Sequence, residues 1–88
     1  MKTFSVVEMG SKGTDVYILQ ALLRGAGFLN SKNKPIEIDG VAGEDTVYAI
    51  NSFQTTMRAY GVECGTNGKN DGVCGATMWK VLTGVVNG

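Results

Sequence analysis

Asp39-Gly40-Val41-Ala42-Gly43 and Asp71-Gly72-Val73-Cys74-Gly75 are two copies of one pattern, Asp-Gly-Val-x-Gly. Each copy stands immediately before a stretch with helical periodicity. An Asp-Gly pair makes a tight turn, because the Asp side chain accepts bonds from nearby backbone N–H groups and Gly takes positive φ. The second Gly lets the backbone pack closely at the start of the helix that follows. Outward from these turns, the helix after the first copy is expected from about Gly43 to Tyr60, with Val47, Ala49, Ile50, Phe53, Met57 and Tyr60 on one arc. Gly61 stops it. The helix after the second copy begins near Gly75, carries Met78, Trp79, Val81 and Leu82, and ends at Thr83-Gly84.

A further helix precedes the first turn, from Thr14 to about Ala26. At 100° per residue, Val16, Ile18, Leu19, Leu22, Leu23 and Ala26 fall within an arc about 160° wide. Thr14 is the expected N-cap, Asp15 favours the first turn through the helix dipole, and Gly27 is the expected left-handed cap. Phe28 to Ile38 is a connection, with an exposed turn at 30–35 and a short extended piece at Ile36-Glu37-Ile38. Residues 62–70 form a loop rich in turn-forming residues. The fold class is therefore all-α: a small three-helix bundle with an Asp-Gly-Val-x-Gly turn before helices two and three. Residues 1–84 form the domain, and 85–88 read as the start of a linker or tail.

Composition bounds the chemistry. The chain has 88 residues, 8 basic and 8 acidic side chains, no histidine, 2 cysteines and 13 glycines. That length supports one modest core. The formal net charge of zero argues against nucleic acid, whose phosphates demand an excess of Lys and Arg. No apolar run approaches the ~20 residues that span a membrane. Without histidine there is no Ser-His or Cys-His pair, and two cysteines alone cannot complete a structural zinc site, so no metal or cofactor is expected. The N-terminus has neither a long apolar region nor a small-residue cleavage site, so it is not a secretory signal.

The turns have a partner in the preceding helices. Leu19-Gln20 in the first helix is echoed by Phe53-Gln54 in the second. Gln54 falls inside an apolar arc, and a buried amide must be hydrogen-bonded. The nearby Asp-Gly turn offers the backbone groups for this. Asp39, Gly40, Gly43, Asp71, Gly72 and Gly75 are read as mainly structural, and Trp79 as core.

The ordered set resembles the peptidoglycan-binding module family, a three-helix wall-binding domain. The resemblance runs from Gly10-Ser11-Lys12-Gly13 with Asp15-Val16, Leu19-Gln20, Leu23 and Gly27-Phe28. It continues through Ile38-Asp39-Gly40, Gly43, Thr46, Ala49-Ile50 and Phe53-Gln54, and closes with Asp71-Gly72-Val73, Gly75, Trp79 and Leu82. It implies a non-catalytic module that holds bacterial peptidoglycan, through glycan or stem peptide, as a monomer. It also implies a fused catalytic domain, a wall hydrolase or endolysin, which the module concentrates on its insoluble substrate. The expected place is extracellular or at the cell wall. With no signal in the chain, that means a fragment, or a phage-type lysin released through a membrane pore. Two features depart from the family. Met78 stands where Thr usually precedes the Trp, and the connection from helix two to the second turn is longer than usual.

Candidate ligand contacts are polar residues that the fold does not require. Tyr48, Asn51, Thr55 and Arg58 form one outward stripe on helix two, and Tyr17 with Arg24 repeats the Tyr-Arg pairing on helix one. Tyr can stack on a sugar, Asn can bond an acetamido group, and Arg can pair with a stem-peptide carboxylate. Cys64 and Cys74 bracket the long loop, and a disulfide between them is expected. The alternative function is a protein-interaction or inhibitory pro-segment domain on the same scaffold. A small wall hydrolase built on Asp39 with Glu44 or Asp45 is disfavoured, because acidic residues at a helix N-terminus have a plain dipole explanation.

Overall fold

The computed structural model describes residues 4–84, so the expected linker at 85–88 lies outside the described residues. The helices are α1 (Thr14–Gly25), α2 (Glu44–Ala59) and α3 (Ala76–Thr83), and no strand is found among the described residues. Isolated antiparallel bridges join Val7 to Cys74 and Lys12 to Val41. The Ile36–Ile38 piece joins no ladder; Ile36 is buried and Ile38 is exposed.

Each helix begins directly after a glycine, Gly13, Gly43 or Gly75, with no side-chain cap. Thr14 is thus the first residue of α1 and not its cap. The C-termini of α1 and α2 close alike. Phe28 N–H donates to Leu23 O and Gly27 N–H to Arg24 O, while Val62 N–H donates to Met57 O and Gly61 N–H to Arg58 O. This pair of bonds satisfies carbonyls that a helix end leaves orphaned.

Apolar periodicity places the core. Val16, Leu19 and Leu23 of α1 pack with Ala49, Ile50 and Phe53 of α2 and with Met78 and Trp79 of α3. Fully burying a Leu, Ile or Phe side chain stabilises the fold by ~1.5–3 kcal/mol. The arc expected for α2 runs one residue too far. Tyr60 is 78% exposed, because the chain leaves helical geometry there and turns away at Gly61. Ala26 and Val81 are exposed for related reasons, at a helix end and on the outer side of the short α3.

The segment from Phe4 to Gly13 completes the domain. Val7 is buried and exchanges both backbone bonds with Cys74, at 3.1 and 2.8 Å. Gly10 N–H donates to Ala42 O, Ala42 N–H to Ser11 O, and Gly13 N–H to Gly40 O. The segment therefore fastens both Asp-Gly-Val-x-Gly turns. Further out, the Trp79 indole N–H donates to Ser5 O at 2.9 Å, and the Phe4 ring stacks on it with centroids 4.3 Å apart.

Candidate functional site

The two turns are held by the same device. Gln20, from α1, reaches the first turn. Its Nε2 donates to Asp39 Oδ1, Val41 O and Thr46 Oγ1, all at 3.0 Å, and its Oε1 accepts the backbone N–H groups of Asp39 and Gly40 at 2.9 Å. Gln54, from α2, reaches the second. Its Nε2 donates to Asp71 Oδ1 at 2.8 Å, Val73 O at 3.0 Å and Cys64 O at 3.2 Å, and its Oε1 accepts Asp71 N–H at 3.1 Å. Both glutamines are buried. In each turn Oδ1 of the Asp also accepts the N–H of the Val two residues on, at 3.0 Å.

The third acceptor differs between the copies, and this relates the two departures seen in the sequence. Met78 stands seven residues past Asp71, where Thr46 stands seven past Asp39. The second clamp therefore has no hydroxyl at that place. Cys64 O, carried by the long loop, is the third acceptor for Gln54 instead.

Gly40 and Gly72 have φ of 77° and 68°, which L side chains rarely adopt. Each is also covered by the residue three before the glutamine. A Cβ on Gly40 would overlap the Tyr17 ring, and one on Gly72 would lie 3.1 Å from Val47 Cγ1 and 3.7 Å from Asn51 Oδ1. Tyr17 and Asn51 thus hold equivalent positions, each lying against a turn glycine.

Tyr48, Asn51, Thr55 and Arg58 share one face of α2, and their surroundings differ. Tyr48 is exposed, and Asn51 lies against Gly72 with its Oδ1 buried and accepting no hydrogen bond among the described residues. Thr55 and Arg58 are taken up by the loop that follows. Thr55 Oγ1 accepts Asn70 Nδ2 at 2.8 Å. Arg58 donates to Glu63 from Nε and Nη2, at 3.2 and 3.1 Å, and to Asn70 Oδ1 from Nη1 at 3.1 Å. The hydrogen bond from Arg58 holds the Glu63 carboxyl below its ordinary range, aided by the Gly65 N–H. Thr55 and Arg58 thus also bond the loop, at Glu63 and Asn70. On α1, Tyr17 is half exposed and Arg24 Nη1 reaches Ile36 O at 3.4 Å.

Cys64 and Cys74 are free thiols, both buried, and the expected disulfide is not formed. Each fills a core position. The loop between them is secured by polar contacts: the Arg58–Glu63 pair, the Thr66–Lys69 bridge, and the Thr66 hydroxyl donating to Asp71 Oδ2 at 2.7 Å. Burial raises both thiol pKa values, that of Cys74 to about 12.

The two carboxylates in the turns remain ionised to low pH for different reasons. Asp39 is lowered by the Val41 N–H and the Gln20 amide. For Asp71, burial pushes the carboxyl up, but the hydrogen bonds from Thr66, Gln54 and Val73 outweigh it and the net shift is downward.

Beside the first turn lies an open pocket of about 330 Å³. Gln20, Glu37, Asp39, Glu44, Asp45 and Thr46 line it, and no basic side chain does. A second hollow, of about 390 Å³, lies between the N-terminal segment and α1, beside Ser5, Ser11, Lys12 and Asp15. Among the described residues no group of three or more His, Cys, Asp or Glu side chains could hold a metal ion. No described helix is long and apolar enough to cross a membrane.

The fold of this small helical domain recurs in a solved structure. The crystal structure of the SleB N-terminal domain superposes with a TM-score of 0.69 at 30% sequence identity, covering 97% of this chain and 100% of that one. Comparison with curated proteins yields no match. The model of the putative peptidoglycan binding domain family matches residues 12–82, a span that takes in both turns and both glutamines. The chain belongs to the putative peptidoglycan binding domain family.

Proposed function

We propose that this domain is a non-catalytic module that holds bacterial peptidoglycan and concentrates an attached wall hydrolase on its insoluble substrate. Membership of the family over residues 12–82 carries the reading. A tethered module needs only modest affinity of its own, because attachment makes the enzyme's encounter with substrate intramolecular. The open pocket beside the first turn and the exposed rings of Tyr17 and Tyr48 are the surfaces offered to the wall. The place of action is the cell wall, outside the membrane.

Co-sedimentation with purified sacculi tests the reading. The protein is expected to pellet with sacculi and to release neither reducing sugar nor free amine. Absence of pelleting at every ionic strength, or clear lysis, would overturn it.

A further inference from the structure

The chain carries its own internal comparison for the pocket. In both turns Oδ1 of the Asp is consumed within the clamp, by the glutamine amide and the Val N–H. The fate of Oδ2 separates the copies. Asp71 Oδ2 accepts the Thr66 hydroxyl at 2.7 Å, delivered by the long loop after α2. Asp39 Oδ2 accepts no hydrogen bond from the described residues, and Asp39 lines the open pocket. The same motif is thus capped by a hydroxyl of the chain in one copy and left open in the other.

The surroundings differ in the same sense. Counted from the Asp, Glu37, Glu44 and Asp45 of the first copy correspond to Lys69, Ala76 and Thr77 of the second. The open copy therefore gathers acceptors. Its four carboxylates disfavour an anion such as a stem-peptide carboxylate, while they accept hydrogen bonds from hydroxyl groups in bidentate or single fashion. The apolar part of the lining is supplied by Val41, which is 42% exposed.

We propose that the pocket beside the first turn binds a neutral sugar, with a sugar hydroxyl donating to Asp39 Oδ2 as Thr66 donates to Asp71 Oδ2 within the chain. This rests on the wall-binding reading and deepens it, assigning the glycan strand rather than the stem peptide to this site. The Asp39 carboxylate, lowered by its backbone and glutamine bonds, is an acceptor throughout the neutral range.

Titration of the isotope-labelled protein with a soluble N-acetylglucosamine oligosaccharide, followed by amide NMR shifts, tests the proposal. Shifts are expected at Val41 and from Gly43 to Thr46, while the matching amides from Val73 to Met78 stay still. This comparison needs no variant. Asp39→Asn keeps an oxygen at Oδ1 and turns Oδ2 into a donor. It is expected to weaken binding by about tenfold or more, as loss of a hydrogen bond to a charged acceptor implies. Unmoved first-turn amides, an unweakened Asp39→Asn, or a preference of the same amides for the ammonium of Nα-acetyl-lysine would each overturn it. Pelleting of the unaltered protein with sacculi while the sugar leaves the first turn unmoved would overturn the sugar site alone. Failure to pellet would overturn the module reading, and the titration would still decide the pocket.

Discussion

Gln20 and Asp39 bind each other in both directions. The Gln20 amide donates to Asp39 Oδ1 at 3.0 Å, and the Asp39 backbone N–H donates back to Gln20 Oε1 at 2.9 Å. One side chain thereby fixes a helix to the turn that launches the next. Gln20→Met keeps the approximate volume and removes every one of these bonds. The backbone N–H groups of Asp39 and Gly40 lose their partner, and stranding buried polar groups costs about 1–3 kcal/mol each. Chemical denaturation should show a loss of about 2 kcal/mol or more, with a similar loss for Gln54→Met. A loss below about 0.5 kcal/mol, the size of an ordinary surface change, would contradict the clamp.

Gly40 is constrained twice, by its φ of 77° and by the Tyr17 ring over it. Gly40→Ala should lose about 1–3 kcal/mol from backbone strain, and more from the overlap with the ring. Gly40→Ala combined with Tyr17→Ala should recover the second part and leave the first. A double-mutant cycle measures this coupling. Strict additivity would show that the ring and the glycine do not meet.

Arg58→Ala should loosen the loop rather than unfold the domain. Its guanidinium is a common partner of Glu63 and Asn70. Amide hydrogen exchange should accelerate over residues 63–70 while the amides of α1 stay protected. Unchanged exchange in the loop would show that the polar contacts do not hold it. Any fall in sacculus binding by this variant then needs the loop, and not ligand contact alone, as its explanation.

Acid stability follows from the two turns. Asp39 and Asp71 both lie below the ordinary carboxyl value of 3.8 in the folded chain. A carboxyl that binds its proton less tightly when folded stabilises the fold fully above its unfolded pKa, and that contribution disappears as pH falls through the folded value. Thermal melting should therefore weaken below about pH 4. Asp39→Asn with Asp71→Asn should flatten this acid limb while lowering stability near neutrality. An undiminished acid limb in the double variant would place its origin in other carboxyls.

Thiol chemistry separates folded from unfolded protein. The Cys74 thiol, raised to about 12 and wholly buried, holds almost no thiolate at pH 8. Iodoacetamide should leave Cys74 unmodified in the native protein and alkylate both cysteines in denaturant. Rapid native alkylation of Cys74, read by mass spectrometry, would contradict its burial.

The helices and their turns were legible because each rests on local chemistry. Apolar spacing marks α1 and α2, the Asp-Gly pair marks the turns, and a glutamine on an apolar arc announces a buried polar partner. The N-terminal segment was not legible. Phe4 and Val7 lie in irregular chain with no period, and their partners Trp79 and Cys74 are distant in sequence. The loop contacts of the α2 stripe were not legible for a similar reason. Helical spacing places Thr55 and Arg58 outward, but it is silent on a loop that folds back to meet them. The one local signal was the charge pair of Arg58 and Glu63 across the helix end at Gly61.

The contact of Phe4 and Ser5 with Trp79 brings the entry of the domain beside its last helix. Only Lys80 to Thr83 of α3 follow the indole, little more than one helical turn. Entry and exit are therefore neighbours, and the chain path is nearly a closed ring. Such a ring can be reopened elsewhere. A short linker joining the two ends, with a new break in the exposed turn at residues 31–34, would preserve every clamp described above. The same proximity lets the domain be spliced as a single cassette into a surface loop of another protein, with both junctions on one side.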